Sequence, residues 1–261
     1  IKHVGAQMSS VREVLPGREY FIPVTEQDIP VNETYITQIL SVSSSMQVLC
    51  TSKWMNTVVL WCPDTVKMGL VRNMGFVDSV TAVGYYENLA QETLPDSLEV
   101  VISGSISEPT ADTLDYGVGY NQIAVHNGQM LHAEGFAGEG MLIAMLDAGW
   151  LGFDINPYLA NLYENGQIWG TYNFVPGQPN VYWKESHGSA CASIILTNVK
   201  YSDNEGSVSS FVGTAPNANM VFIRTEDGRT EQPIEEDYWI AGAELADSLG
   251  ADAITSSLGY A

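Results

Sequence analysis

The chain has 261 residues, 45% hydrophobic and 16% charged, a composition that builds a folded core and excludes a disordered polymer. Its 10 Lys and Arg stand against 31 Asp and Glu, a formal net charge of −21, which excludes nucleic acid as a partner because phosphate contacts need cations. No apolar run approaches the ~18 residues of a spanning helix, so no membrane span is expected.

Residues 1–31 contain Pro16, Gly17, Pro23 and Pro30 and no sustained period, which reads as an irregular lead-in. Asn32 is the N-cap expected for a helix reaching about residue 40. Residues 47–51 and 55–62 follow as strands, the second rich in β-preferring side chains at Val58, Val59, Leu60 and Trp61. A helix is expected over 64–74, with Val66, Leu70 and Val71 on one face and Gly75 as its stop. Residues 76–86 return to strand. This order predicts a small α+β domain, with helices on one face of an antiparallel sheet. Residues 87–119 hold Pro95, Pro109 and many small polar side chains, with a short strand at 100–102. A domain boundary is therefore expected over 105–116. Residues 1–104 form the first domain and residues 117–261 the second.

Beyond the boundary the rhythm changes. Apolar strands at 141–146, 168–174, 219–224 and 251–257 alternate with helical patterns at 121–134, 187–197 and 235–249. That is the α/β signature of a mainly parallel sheet with helices on both faces. In the last helix Ile240, Ala243, Leu245 and Ala246 are expected to face the core, with Gly250 ending it. The acidity is concentrated here: residues 111–261 carry 4 basic and 19 acidic side chains. Such a surface suits solubility, basic ligands or bound cations.

Three cysteines do not make a disulfide framework. Cys191 sits among small residues and reads as a packing thiol. Cys50 and Cys62 can pair only if their strands are neighbours, a point the sequence leaves open. No Cys or His pair has zinc spacing. Gly117-Val-Gly119 and Gly138-Glu-Gly140 lack the strand-before, helix-after setting of a dinucleotide loop.

Two residues sit in contexts that suit a narrow range of chemistry. The apolar run Met141-Leu-Ile-Ala-Met-Leu146 ends on Asp147, followed by Ala148 and Gly149. His187 opens the small-residue stretch His187-Gly-Ser-Ala-Cys-Ala-Ser193. A carboxylate at a strand's C-terminal end and an imidazole at a helix start suit an Asp that orients a His general base. Singly, Asp147 reads equally as a turn cap and His187 as a core histidine; no motif surrounds His3, His126 or His132. Glu226 and Asp227, with Glu231, Glu235, Glu236 and Asp237, form an acidic cluster after the 219–224 strand. Strand C-termini are where ligands of α/β sheets gather. A calcium site and a solvated loop are open readings of the same cluster.

Four segments in series resemble the subtilisin-like serine proteases, in particular the secreted type of Bacteroidetes-like bacteria. Ile143-Ala-Met-Leu-Asp-Ala-Gly149 is similar to the Asp motif, and Ser186-His-Gly-Ser-Ala-Cys-Ala-Ser193 to the His motif. Gly213-Thr-Ala-Pro-Asn-Ala-Asn219 resembles the turn that follows, and Gly250-Ala-Asp-Ala-Ile-Thr-Ser-Ser-Leu-Gly-Tyr260 the substrate-binding strand. The family's second His, three residues after the first, is Ala190 here. Thr51-Ser-Lys-Trp-Met-Asn56 and Phe76-Val-Asp-Ser-Val80 resemble the family's inhibitory prodomain.

The resemblance implies a secreted or cell-surface endopeptidase precursor acting on protein or peptide substrates and inhibited by its own prodomain. Asp147 and His187 would be catalytic. Ser257, Leu258 and Gly259 would bind substrate backbone by strand addition. Asp227, in an Asp-Gly context with Glu226 beside it, would favour a basic side chain before the scissile bond. No cofactor is required by this chemistry; a structural calcium ion is compatible with it, and no metal ligand is assigned. No Gly-Thr-Ser occurs in the chain, so the nucleophilic serine is expected on a second segment beyond Ala261, and residues 1–261 alone are expected to be inactive and not independently stable. The rival readings are an inactive binding or surface protein of the same fold, an acid protease of similar fold, and a surface protein that binds calcium through its acidic face.

Overall fold

The computed structural model describes residues 25–84, 105–107, 114–202, 208–229 and 232–259. After a 3-10 turn at Glu26–Asp28, α1 (Glu33–Leu40) starts where Asn32 accepts from the Thr34 N–H at 2.9 Å. β1 (Gln47–Ser52) and β2 (Thr57–Trp61) form an antiparallel hairpin with a register shift between Val48 and Cys50. α2 (Thr65–Arg72) is capped by Asp64, whose side chain accepts from the Val66 N–H at 3.0 Å. It ends at Asn73, ahead of the stop expected at Gly75.

Where a third strand was expected, residues 77–84 form none. Their partly buried apolar positions, Val77, Val80 and Val83, recur every three residues, a spacing that β alternation cannot use. Val77 and Val80 pack with Ile39, Met46 and Val71, whereas Val83 joins Cys50, Val59, Tyr238 and Ala241. The expected strand at 100–102 lies outside the described residues, as do positions 85 and 86.

β3 (Ser105–Ser107) precedes a helix broken in two: α3 (Tyr120–Ala124) and α4 (Gly128–Ala133), parted by Asn127 at φ 58°. β4 (Leu142–Asp147), α5 (Ala160–Glu164), β5 (Ile168–Asn173) and α6 (His187–Leu196) come next. β6 (Asn198–Ser202) and β7 (Val208–Val212) pair antiparallel, and β3 pairs antiparallel with β6. β8 (Asn219–Arg224), α7 (Ile234–Ser248) and β9 (Ala253–Ser256) complete the described elements.

The central sheet runs β5-β8-β4-β9, every pair parallel. The pleat divides the apolar residues of β4 and β8 between two cores. Met145, Met220 and Phe222 face α6 with Trp150, Phe153, Ala192 and Leu196. Leu142, Ala144, Leu146, Val221 and Ile223 face α7 with Ala243, Ala246 and Leu249. Burial on both faces is why these strands read as continuous apolar runs.

α7 is covered on two sides. Its Ala243 stripe meets the sheet, while Ile234, Tyr238 and Ala241 meet Cys50 and Val59 of the hairpin. The first part of the chain thus packs onto a helix of the second. Glu244, only 7% exposed, accepts from Ser52 Oγ and from the N–H groups of Lys53 (2.9 Å) and Trp54 (3.0 Å), gripping the hairpin turn.

Candidate active site

Asp147 closes β4 and is 1% exposed. Its Oδ1 accepts from the Ala148 N–H at 2.7 Å, and its carbonyl accepts from the Thr225 N–H at 3.2 Å. His187 begins α6, and its Nδ1 lies 2.9 Å from Asp147 Oδ2 and 3.1 Å from Oδ1. With that carboxylate as acceptor, Nδ1 carries the proton and Nε2 is left as the basic nitrogen. The carboxylate is 2% exposed and the imidazole 52%, so a fixed buried anion aims a reachable base.

Gly188 makes this approach possible. Its N–H donates to the Gly149 carbonyl at 3.0 Å, and a Cβ there would meet Gly149 O at 2.7 Å and Trp150 Cε2 at 2.8 Å. A helix start this close to the turn after β4 admits no side chain at that position.

Beyond Nε2, Cys191 Sγ stands at 3.7 Å, and the same sulfur lies 3.5 Å from Ser257 Oγ. Cys191, expected as a packing thiol, is half-buried and does pack against the cluster of Trp150, Ala192 and Leu196, while its Sγ, one turn beyond His187, also reaches the imidazole. Ser257 and Leu258 follow β9, an edge of the sheet among the described residues, with Ser257 and Gly259 exposed. Asp147, His187, Cys191 and Ser257 are therefore brought together at one end of the sheet.

Asp147, His187 and Cys191 are also a group whose ligand-type atoms all lie within 4.8 Å of one another. With Nδ1 held by Asp147, the arrangement reads as a base with its orienting acid. It can take a proton from a weakly acidic nucleophile and return it to a leaving group.

Asp227 is 1% exposed and ion-paired: Arg229 Nε donates to Oδ1 at 2.7 Å and Nη2 to Oδ2 at 2.6 Å. Glu235, in the first turn of α7, accepts from the Gln232 N–H at 3.4 Å, while Glu236 is exposed. Asp237 is pushed up from the ordinary carboxylate range by burial and by Glu236. Among the described residues this acidic stretch does not converge on one point; Glu231 lies outside them. Cys50 and Cys62 are both free, since the register sets Cys50 opposite Val59. Burial, with Asp237 and Glu244 nearby, pushes the Cys50 thiol up to about 12.

Arg224, Glu244 and the placement of Cys191 were not found in the sequence. The one available signal was spacing: His187 and Cys191 are four apart and so share a helix face.

A parallel α/β sheet with a carboxylate-oriented imidazole at its C-terminal end defines a hydrolase-type site. Residues 138–260 match the model of the subtilase family, and residues 17–97 match that of the peptidase S8 propeptide domain of Bacteroidota. The chain belongs to the subtilase family of serine peptidases, in precursor form with its propeptide domain preceding the subtilase domain. A search among curated proteins found no match. Among the described residues no helix is long and apolar enough to cross a membrane.

Proposed function

We propose that this chain forms the propeptide and the base-bearing part of an exported serine endopeptidase. Residues 1–104 are the lead-in and inhibitory domain, 105–116 the connecting segment, and 117–261 the first part of the catalytic domain. The observation that carries the reading is the pair of contacts from His187 Nδ1 to Asp147, which leaves Nε2 free to act. His187 Nε2 takes the proton of a serine hydroxyl as that oxygen attacks the peptide carbonyl, then returns it to the departing amine. Asp147 holds the tautomer and stabilises the imidazolium without taking the proton. The serine is supplied by sequence beyond residue 261. Ser257 Oγ lies beside Cys191 Sγ, and residues 257–259 present backbone for an extended substrate.

The complete gene product, matured and assayed on casein, tests this. His187→Ala is expected to lower kcat by about 10⁶-fold and Asp147→Asn by about 10⁴-fold. Losses under tenfold for both would overturn it. A second reading rests on one distance: Cys191 Sγ at 3.7 Å from Nε2 is the geometry of a thiol nucleophile. Full activity of Cys191→Ser, with inhibition by a serine-directed phosphonylating reagent, excludes the thiol; abolished activity adopts it.

Preference for a basic side chain rests on Asp227, whose carboxylate Arg229 already occupies. A substrate cation must displace that guanidinium. Arg229→Ala is therefore expected to raise kcat/KM for a Lys peptide over its Ala counterpart by about tenfold. An unchanged ratio makes Asp227 purely structural. The acyl-transfer chemistry needs no cofactor. A structural calcium ion would show as a lower melting temperature on chelation.

A further inference from the structure

Arg224 is a buried cation with no role in the scheme above. It ends β8 in register with Asp147 at the end of β4, and it is 0% exposed. Its Nη1 donates to the carbonyls of Asn180 (3.3 Å) and Trp183 (3.2 Å), and Nε to the Glu226 carbonyl (3.4 Å). Nη2 has no hydrogen-bond partner among the described residues. A guanidinium held by neutral carbonyls, with one arm unmatched, is a costly way to fill a core. Such departures from local economy mark functional positions.

What Arg224 holds is the segment that delivers the base. Trp183, Lys184 and Glu185 form a three-residue turn, the Glu185 N–H donating to the Trp183 carbonyl at 2.8 Å. Lys184 at its centre has φ 59°, the strained hand of such a turn and a conformation that a long side chain rarely adopts. His187 comes two residues after Glu185. The Trp183 carbonyl thus accepts from both the turn and Arg224, so the guanidinium stabilises the strained form directly. From the other side Trp150 N–H donates to the Val181 carbonyl and Leu151 N–H to the Glu185 carbonyl, both at 2.8 Å.

We propose that Arg224 is a positioning residue for His187: from within the core it clamps the strained Trp183–Glu185 turn and so sets where the imidazole meets Asp147. This rests on the peptidase reading for its kinetic consequence only. The charges facing the guanidinium are Asp227 and Arg229 after β8, Glu185 before α6, and Asp147 on β4; His187 itself faces Asp147 and Cys191. Burial pulls Arg224 down to about 10, so it remains a cation at neutral pH.

Arg224→Met and Arg224→Lys are compared with the wild type as complete gene product, by kinetics and by the NMR signal of His187 Nδ1–H. Arg224→Met removes both the fork and the charge. It is expected to lower kcat roughly 10- to 100-fold, with KM changed less than about twofold. It is also expected to remove the downfield His187 Nδ1–H signal, because the imidazole no longer meets Asp147 at hydrogen-bond distance. Arg224→Lys keeps the charge and loses the fork, so kcat should fall here too. A lower melting temperature in Arg224→Met with kcat and the Nδ1–H signal unchanged would make Arg224 a structural residue and overturn the proposal. If Arg224→Met does not fold, Arg224→Lys decides: unchanged kcat overturns it. If the wild type hydrolyses no peptide, the peptidase reading fails while the Nδ1–H signal still decides. The downfield His187 Nδ1–H signal, present in the wild type and lost in Arg224→Lys, supports the clamp; its retention in both variants overturns it.

Discussion

Gly188 is the residue on which the backbone of the site turns. A methyl group there would lie inside contact distance of the Gly149 carbonyl, which cannot yield without moving the strand end that carries Asp147. Gly188→Ala is expected to cost about 1–3 kcal/mol and to lower activity per folded molecule by tenfold or more. A thermal melt paired with active-site titration separates the two effects. At the neighbouring position on the helix face, Cys191 Sγ stands 3.7 Å from the basic nitrogen. Alkylating it puts bulk beside that nitrogen, so on the proposed peptidase reading iodoacetamide should inactivate the wild type and spare Cys191→Ser. Inactivation of both at the same rate would place the reactive group elsewhere.

Among the elements, α7 carries the widest consequences because it is packed on opposite sides. Glu244 is the polar part of its hairpin-facing side, accepting three donors from Ser52, Lys53 and Trp54. Glu244→Ala leaves two backbone N–H groups and a hydroxyl without that acceptor, a loss of about 2–4 kcal/mol. Faster limited proteolysis between residues 47 and 61 should follow. A second pair of elements is tied by a titrating group. Glu139, in the turn before β4, is held below the ordinary carboxylate range, first by Asn217 before β8, which donates to it at 2.6 Å, and also by the Ala137 N–H. A carboxylate depressed in the folded state contributes stability above its unfolded pKa and loses it as pH falls through the folded value. Asn217→Ala should raise the Glu139 midpoint and make stability less sensitive to pH on the acid side, read by NMR titration and by melts from pH 6 to about 3.

At the scale of the molecule, the propeptide-like and subtilase-like parts share a core. Cys50 and Val59 from one part and Tyr238 and Ala241 from the other belong to a single buried cluster, with Val175 from the segment before α6. That contact does not pass through the Asp147–His187 pair. A propeptide gripped on α7 can therefore stay bound after the connecting chain is cut. With a cleavage site engineered between residues 97 and 105, the two pieces are expected to co-elute on gel filtration, and Glu244→Ala should separate them. Separate elution of the wild-type pieces would show that this contact does not hold the domains together unaided.

The α/β architecture was legible because it is written locally. An apolar run bounded by turn residues gives β4 or β8 without reference to any partner, and the small residues after His187 specify a helix that packs closely. Asp147 and His187 were legible for the same reason, each sitting at the end of an element whose pattern is unambiguous. Tertiary structure decided whatever depends on a partner distant in sequence. Glu244 sits on a helix whose pattern shows one apolar stripe; its burial comes from a hairpin about 190 residues earlier in the chain. Asp227 pairs locally, with Arg229 two residues on, but it reads as an open acid because only the fold buries its carboxylate. Residues 76–86 have strand-like composition, but Val77, Val80 and Val83 serve two cores at a spacing of three. Arg224 reads as a polar strand end, and only the folded chain sets its guanidinium under the turn that carries the base. Propensity and periodicity report the backbone's local choice, whereas buried charges are selected by what the fold brings to face them.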